Sequence, residues 1–400
     1  MSIYVTQPSL PPLDEYVELL RDIWDRKWLT NKGYYHDLFE QLLADHLGVK
    51  YVSLFCNGMV ALQVGLQALK ITGEVITTPY SFPATTHALW WNHCTPVFCD
   101  IDPNTCNLDP SKIESLITPK TTAILPVHVY GTPCDVDAIQ QIADTYGLKV
   151  FYDAAHAFGV RVQTEDGRLK TEDFITTEDT EYTENGSEGC SILNFGDLSM
   201  LSFHATKVFN TAEGGALVTN DLKLKERIDY LKNFGFADET TVVAPGTNGK
   251  MNELQAALGI VQLRYVDEAI HRRLAIAAAY RAELCGVPGI NCLEESLDVQ
   301  TNGAYFPIFV DEKQYGRSRD ELYEALKEKG FYGRRYFYPL ISDFPMYRSL
   351  SSARADHLRV ANEISHQVLC LPIFAELERK EMMAVIDIVR TNQRQAQGEG

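Results

Sequence analysis

The chain has 400 residues, 45% of them hydrophobic and 22% charged, with a formal net charge of -18. That length suffices for two domains or one large one, and the acidic balance argues against nucleic acid or an anionic membrane as a main partner. No run approaches the ~18 apolar residues of a membrane span, the N-terminal residues lack the basic start and apolar core of a signal peptide, and the nine cysteines form no Cys-x-x-Cys pair of a zinc or disulfide framework. These features predict a cytoplasmic enzyme with reduced thiols and no metal site.

In chain order, residues 1–34 read as a leading segment that lines the site, ahead of a large domain over 35–262. From Gly48 to Thr219 apolar β-like runs alternate with helical stretches, which predicts an α/β fold with a mainly parallel sheet. The predicted strands cover 51–55, 74–78, 95–99, 122–127, 149–152, 198–202 and 216–219, with amphipathic helices over 60–69 and 135–143. One long helical stretch from 252 to about 285 is expected to lead into a smaller C-terminal α+β domain over 263–400. There a strand is expected over 304–310 and a helix over 318–329.

Residues 163–190 break the pattern. They hold nine Asp/Glu against Arg168 and Lys170, with few apolar residues, and read as an inserted acidic loop without a catalytic role.

The chemistry gathers at the predicted strand ends. Lys207 follows the run Leu201-Ser202-Phe203-His204-Ala205-Thr206 and precedes a Glu213-Gly214-Gly215 turn. Burial there would lower its pKa and make the neutral amine a nucleophile toward carbonyls, as a Schiff base requires; a plain surface lysine is the alternative. Asp153 ends the run 149–152, at the carboxyl edge where open α/β sheets place ligands. A carboxylate there can pair with the pyridine nitrogen of pyridoxal phosphate, or simply cap a helix. Phe55-Cys56-Asn57-Gly58-Met59 passes from strand to helix, so the amides of Gly58 and Met59 offer a phosphate site, to which the Ser202 hydroxyl could add. Phe82, past another strand end, could stack on a flat ring or belong to the core.

Together with Trp28-Leu29-Thr30, Ser81-Phe82-Pro83-Ala84-Thr85, Asp153-Ala154-Ala155-His156-Ala157 and Asn248-Gly249-Lys250-Met251-Asn252-Glu253-Leu254-Gln255, these motifs run in one order over nearly the whole chain. The set resembles the DegT/StrS-type sugar aminotransferases, fold-type I pyridoxal phosphate enzymes. The resemblance implies a three-layer αβα large domain with a seven-stranded sheet, and it implies the roles of the site. Lys207 would carry the cofactor and move the proton; Asp153 would pair with the pyridine nitrogen; His156, where many relatives have Gln, would approach the ring's phenolic oxygen. Phe82 would stack on the ring, while Gly58, Met59 and Ser202 would hold the phosphate with Asn248 from the other subunit of a homodimer. It further implies L-glutamate as donor, pyridoxamine phosphate as the intermediate form of the cofactor, and a dTDP-linked 4-keto-6-deoxyhexose as acceptor, in the making of surface-polysaccharide sugars such as those of O-antigen. C-3 aminotransferases share the His204-to-Lys207 run and stay open. A dehydratase of this fold carries histidine at the lysine position, and a non-catalytic sensor should lack Lys207 or Asp153. The insertion at 163–190 departs from the family pattern.

Overall fold

The computed structural model describes residues 2–163 and 189–393. From the amino end come β1 (Ile3–Tyr4), α1 (Leu13–Arg26) and α2 (Tyr34–Leu47). There follow β2 (Tyr51–Phe55), α3 (Gly58–Ala68), β3 (Glu74–Thr77), α4 (Pro83–Trp91), β4 (Thr95–Phe98), β5 (Thr121–Leu125), α5 (Val136–Tyr146) and β6 (Lys149–Asp153). Next are β7 (Arg161–Val162), β8 (Cys190–Ser191), β9 (Leu198–Ser202), β10 (Gly215–Thr219), α6 (Leu222–Leu231), α7 (Glu253–Leu263) and α8 (Val266–Leu284). The last part holds β11 (Ile290–Cys292), β12 (Val299–Gln300), β13 (Phe306–Val310), α9 (Glu312–Tyr315), α10 (Arg319–Glu328), β14 (Phe331–Tyr332), α11 (Arg359–Gln367), β15 (Val368–Leu371) and α12 (Arg379–Thr391).

All seven predicted strands join one seven-stranded sheet, in the order β2-β10-β9-β6-β5-β3-β4. Only β10 runs antiparallel to its neighbours; the pairs β3–β4, β3–β5, β5–β6 and β6–β9 are parallel. Alternation along the strands gives the sheet two covered faces. Val52, Leu54, Ala216 and Val218 pack with Phe39 and Leu43 of α2 and Ala256 and Ile260 of α7. Phe55, Leu217, Leu198 and Phe151 pack on the opposite side with α3, α4 and α6. The result is three layers, as expected. A separate antiparallel sheet, β11-β13-β15, packs with α8, α10 and α12 around Ile308, Leu322, Leu369 and Val385. Among the described residues no helix is long and apolar enough to cross a membrane.

Three local expectations need correction. The helix over 252–285 is two helices, because the amides of Arg264 and Tyr265 turn back to Val261 and Gln262, and both side chains are held by Glu15 of α1. Tertiary anchoring there overrides a continuous helical pattern. The strand expected to reach Val127 stops at Leu125, since Pro126 has no N–H to donate to the ladder. Ala304 and Tyr305 stand outside β13, and both line the pocket described below.

Most of the acidic insertion, residues 164–188, lies outside the described residues. Its flanks are paired: β7 and β8 run antiparallel with Arg161 opposite Ser191 and Val162 opposite Cys190, and β12 extends the same small sheet.

Candidate active site

The site forms at the carboxyl ends of the parallel strands. Asp153, the last residue of β6, is only 4% exposed. Its Oδ2 accepts the hydroxyl of Thr85 at 2.7 Å and its Oδ1 accepts the Ala155 amide at 3.1 Å. No helix begins there, so the capping alternative falls away. Burial pushes the carboxyl above its ordinary pKa, against the pull of Thr85, the Ala155 amide and Lys207. A buried carboxylate in that state favours an additional cation against it.

Lys207 lies in the loop between β9 and β10, its amide turned back to the carbonyl of His204 at 2.9 Å. Burial brings its ammonium down to about 8, with Asp153 pulling the other way. Nζ donates to the hydroxyl of Tyr305 at 3.4 Å. Lys207, His156, Thr206 and Tyr305 line one small pocket with Ala155 and Phe158. The plain surface-lysine alternative is therefore not what the fold builds. The leading segment reaches this loop: the Thr6 hydroxyl donates to the Thr206 carbonyl at 3.4 Å, and the Ser9 carbonyl accepts from Asn210 at 3.0 Å.

His156 is held from two directions. Its Nδ1 accepts the Tyr130 amide at 3.2 Å, and its ring lies parallel to Phe337 at 6.0 Å. Burial keeps the imidazole well below its ordinary pKa, and Lys207 adds to the effect. A neutral ring whose Nδ1 accepts carries its proton on Nε2, which makes that nitrogen a donor. Tyr130 itself adopts φ of +60°, a region costly for a residue with a Cβ.

The phosphate expectation rests on close packing. Asn57 caps α3 by accepting the Val60 amide at 2.9 Å, so the amides of Gly58 and Met59 precede any acceptor inside the helix. A Cβ at Gly58 would stand 3.2 Å from both Met200 Sδ and Ser202 Cβ, and one at Gly215 only 2.8 Å from the Gly58 nitrogen. Glycine at both positions leaves a cradle of amides beside the Ser202 hydroxyl. Phe82 opens α4, 57% exposed, on the same turn as Thr85. Asn248 is exposed beside Gly249, whose carbonyl accepts the Cys56 amide at 2.8 Å, and stands outside the Lys207 pocket. The Lys207 amine, the Asp153 carboxyl, the Nε2 donor of His156 and the amide cradle together fit pyridoxal phosphate.

Four positions of the site carried no role in the sequence reading. Thr85 and Gly215 stood inside quoted motifs, where their partners Asp153 and Gly58 could have drawn attention to them. Tyr130 belongs to the run Pro126-Val127-His128-Val129-Tyr130-Gly131, which also fits the family, but its partner His156 lies 26 residues away; Tyr305 gave no local signal, because Lys207 lies 98 residues away.

Comparisons with known proteins identify the family. A dTDP-4-amino-4,6-dideoxy-D-glucose transaminase of Escherichia coli is 48% identical over 388 residues, covering 97% of this chain and 98% of that one. The crystal structure of DesI in the presence of its TDP-sugar product superposes with a TM-score of 0.87 at 35% identity, over 98% of this chain and 92% of that one. NtdA of Bacillus subtilis with its bound cofactor PMP superposes with a TM-score of 0.80 at 28% identity, over 95% and 81% of the two chains. The model of the DegT/DnrJ/EryC1/StrS aminotransferase family matches residues 13–390. This chain belongs to that family and is a pyridoxal-phosphate-dependent sugar aminotransferase.

Proposed function

We propose that the enzyme transfers the amino group of L-glutamate to C-4 of dTDP-4-keto-6-deoxyglucose, giving the 4-amino-4,6-dideoxy sugar nucleotide. The observation that carries this reading is the 48% identity over nearly the full length of a transaminase named for that product, beside an intact Lys207, Asp153 and His156. We place the reaction in the cytoplasm, in a homodimer whose partner subunit supplies Asn248 to the phosphate.

When bound, pyridoxal phosphate supplies an electron sink for the carbon that loses its proton. The chain's own groups prepare that event. Asp153, held by Thr85 and Ala155, would keep the pyridine nitrogen protonated. His156 would donate from Nε2 to the ring's phenolic oxygen, Phe82 would cover one ring face, and Gly58, Met59 and Ser202 would hold the phosphate. Lys207 Nζ would take the proton from one carbon and return it to another. An amine with a pKa of about 8 suits both halves of that task, being neither permanently charged nor too weak a base. The order of domains expected from the sequence, with residues 1–34 lining the site and a second unit from residue 263, belongs to the same proposal.

The test is regiochemical. Purified enzyme given pyridoxal phosphate, L-glutamate and dTDP-4-keto-6-deoxyglucose is expected to form a 4-amino sugar and 2-oxoglutarate, identified by NMR. Nitrogen at C-3, or turnover only after a 3,4-ketoisomerase has acted, would move the enzyme to the C-3 branch.

A further inference from the structure

Tyr305 has no part in the scheme above, yet it meets both Lys207 and His156. Its hydroxyl receives Lys207 Nζ at 3.4 Å, and its ring stands edge-on to the His156 imidazole with centroids 4.9 Å apart. We propose that Tyr305 is a positioning residue of the aminotransferase, whose hydroxyl anchors the Lys207 amine whenever that amine is free and so steadies its proton for transfer. The proposal rests on the aminotransferase reading and adds to it a residue that acts through Lys207.

The hydroxyl is rigidly placed. Asn302 donates through Nδ2 to the carbonyls of His156 at 2.8 Å and Phe158 at 2.9 Å, and its Oδ1 accepts the Ala304 amide at 2.9 Å. The segment before Tyr305 is thereby clamped to the turn that follows Asp153. Tyr336 closes on the Tyr305 ring at 5.7 Å and 90°, and Tyr130 at 5.8 Å. Lys207, in contrast, reaches its site on four flexible methylenes. A fixed partner for Nζ narrows the arrangements open to the freed amine, which is what a proton transfer between two defined carbons needs.

The electrostatics agree with this geometry. Burial holds the Tyr305 hydroxyl far above its ordinary pKa; nearby Cys370 and Asp153 act in the same direction, and buried Arg273 in the opposite one. The phenol thus stays neutral, able to accept from an ammonium and to donate to a free amine. Facing Lys207 itself are the Asp153 carboxyl, which favours its charged form, and the neutral imidazole of His156. Hydrogen bonds to a charged group are about twice as strong as those between neutral groups. Loss of the phenol oxygen therefore costs the ammonium more than the amine, and Lys207 should release its proton more easily.

Competitive acetylation reads this directly. The full-length protein, freed of cofactor, is treated with trace acetic anhydride across pH, and modification of Lys207 is followed by peptide mass spectrometry. In the wild type the midpoint is expected near 8. In Tyr305→Phe it is expected lower by roughly 0.5–1 pH unit. A midpoint within about 0.2 unit of wild type in the folded variant overturns the proposal. Should Tyr305→Phe fail to fold, wild-type protein with 13C-labelled tyrosine rings serves instead. One ring resonance must then move with the Lys207 midpoint and stay still in Lys207→Ala; absence of such a resonance overturns the proposal equally. Neither arm contains a sugar nucleotide, so a wrong acceptor sugar under the proposed function would leave both results unchanged.

Discussion

Each reacting group is set by a neighbour that touches it, so substitutions should report those pairings one by one. Lys207→Ala removes the amine in this pocket and should abolish turnover. Borohydride reduction of the loaded wild type should leave a pyridoxyl mass on the peptide carrying Lys207, and the variant should show none. Asp153→Asn keeps the shape but places a neutral group at the buried strand end. It should bind the cofactor and slow turnover by several orders of magnitude; a loss under about tenfold, near 1.4 kcal/mol, would remove Asp153 from the role of pyridine partner. Thr85→Val deletes one hydrogen bond to Asp153, made at 2.7 Å. At about 1 kcal/mol for such a bond, a five- to tenfold fall in kcat is expected, and unchanged kcat with raised KM would place the effect elsewhere.

At the scale of elements, long-range contacts decide what local pattern leaves open. Helix α2 is preceded by Gly33 at its N-cap, which offers no side chain to cap it. Buried Glu253 at the start of α7 does so instead, accepting the amides of Tyr35 and His36 at 2.9 Å each. Glu253→Ala strands two buried donors and should cost roughly 1–3 kcal/mol or more, seen as a lower melting temperature, while Glu253→Gln should recover part of the loss. The paired flanks of the acidic insertion make a second expectation. Because Val162 already faces Cys190, a short turn replacing 164–188 should close the ladder and leave turnover within about threefold of wild type; a collapse of turnover in a folded protein would give the insertion a part in the site. The seven sheet strands were legible because strands buried on both faces read as apolar runs; Asp153 and Gly58 were legible because strand ends and helix starts have local signatures, and Lys207 because it sits between an apolar run and a Glu-Gly-Gly turn. Glu253 as a remote cap, the break between α7 and α8, and Tyr305 beside Lys207 were not legible. Each depends on a partner far along the chain, which no periodicity records.

Over the whole molecule, several buried ionisable groups share one sensitivity to pH. Glu40 of α2 lies between Lys232 at 3.1 Å and Lys225 at 3.0 Å, and Asp229 of α6 joins the same two amines at 2.9 and 2.8 Å. Burial alone would push both carboxyls up, but Lys232 and Lys225 outweigh it and hold both below the ordinary range. A carboxyl whose folded pKa is depressed stabilises the fold above its unfolded value and loses that contribution as pH falls. Three buried histidines act in the same direction for a different reason. Burial lowers His36, His156 and His128, the last to about 3, so the unfolded chain takes up protons there before the folded one does. Stability should therefore decline below pH 6.5, the ordinary histidine value, and more steeply once pH falls below 4.5, where unfolded glutamate binds its proton. Glu40→Gln separates the two contributions. At pH 7 it leaves two buried ammonium groups with one carboxylate between them and should cost about 3–5 kcal/mol. Its stability should then fall less steeply below pH 4.5 than that of the wild type, because one of the groups that takes up a proton on unfolding is gone, while the histidine-driven decline from pH 6.5 should persist. Chemical denaturation of both proteins at a series of pH values measures the two slopes, and equal slopes below pH 4.5 would take Glu40 out of the acid response.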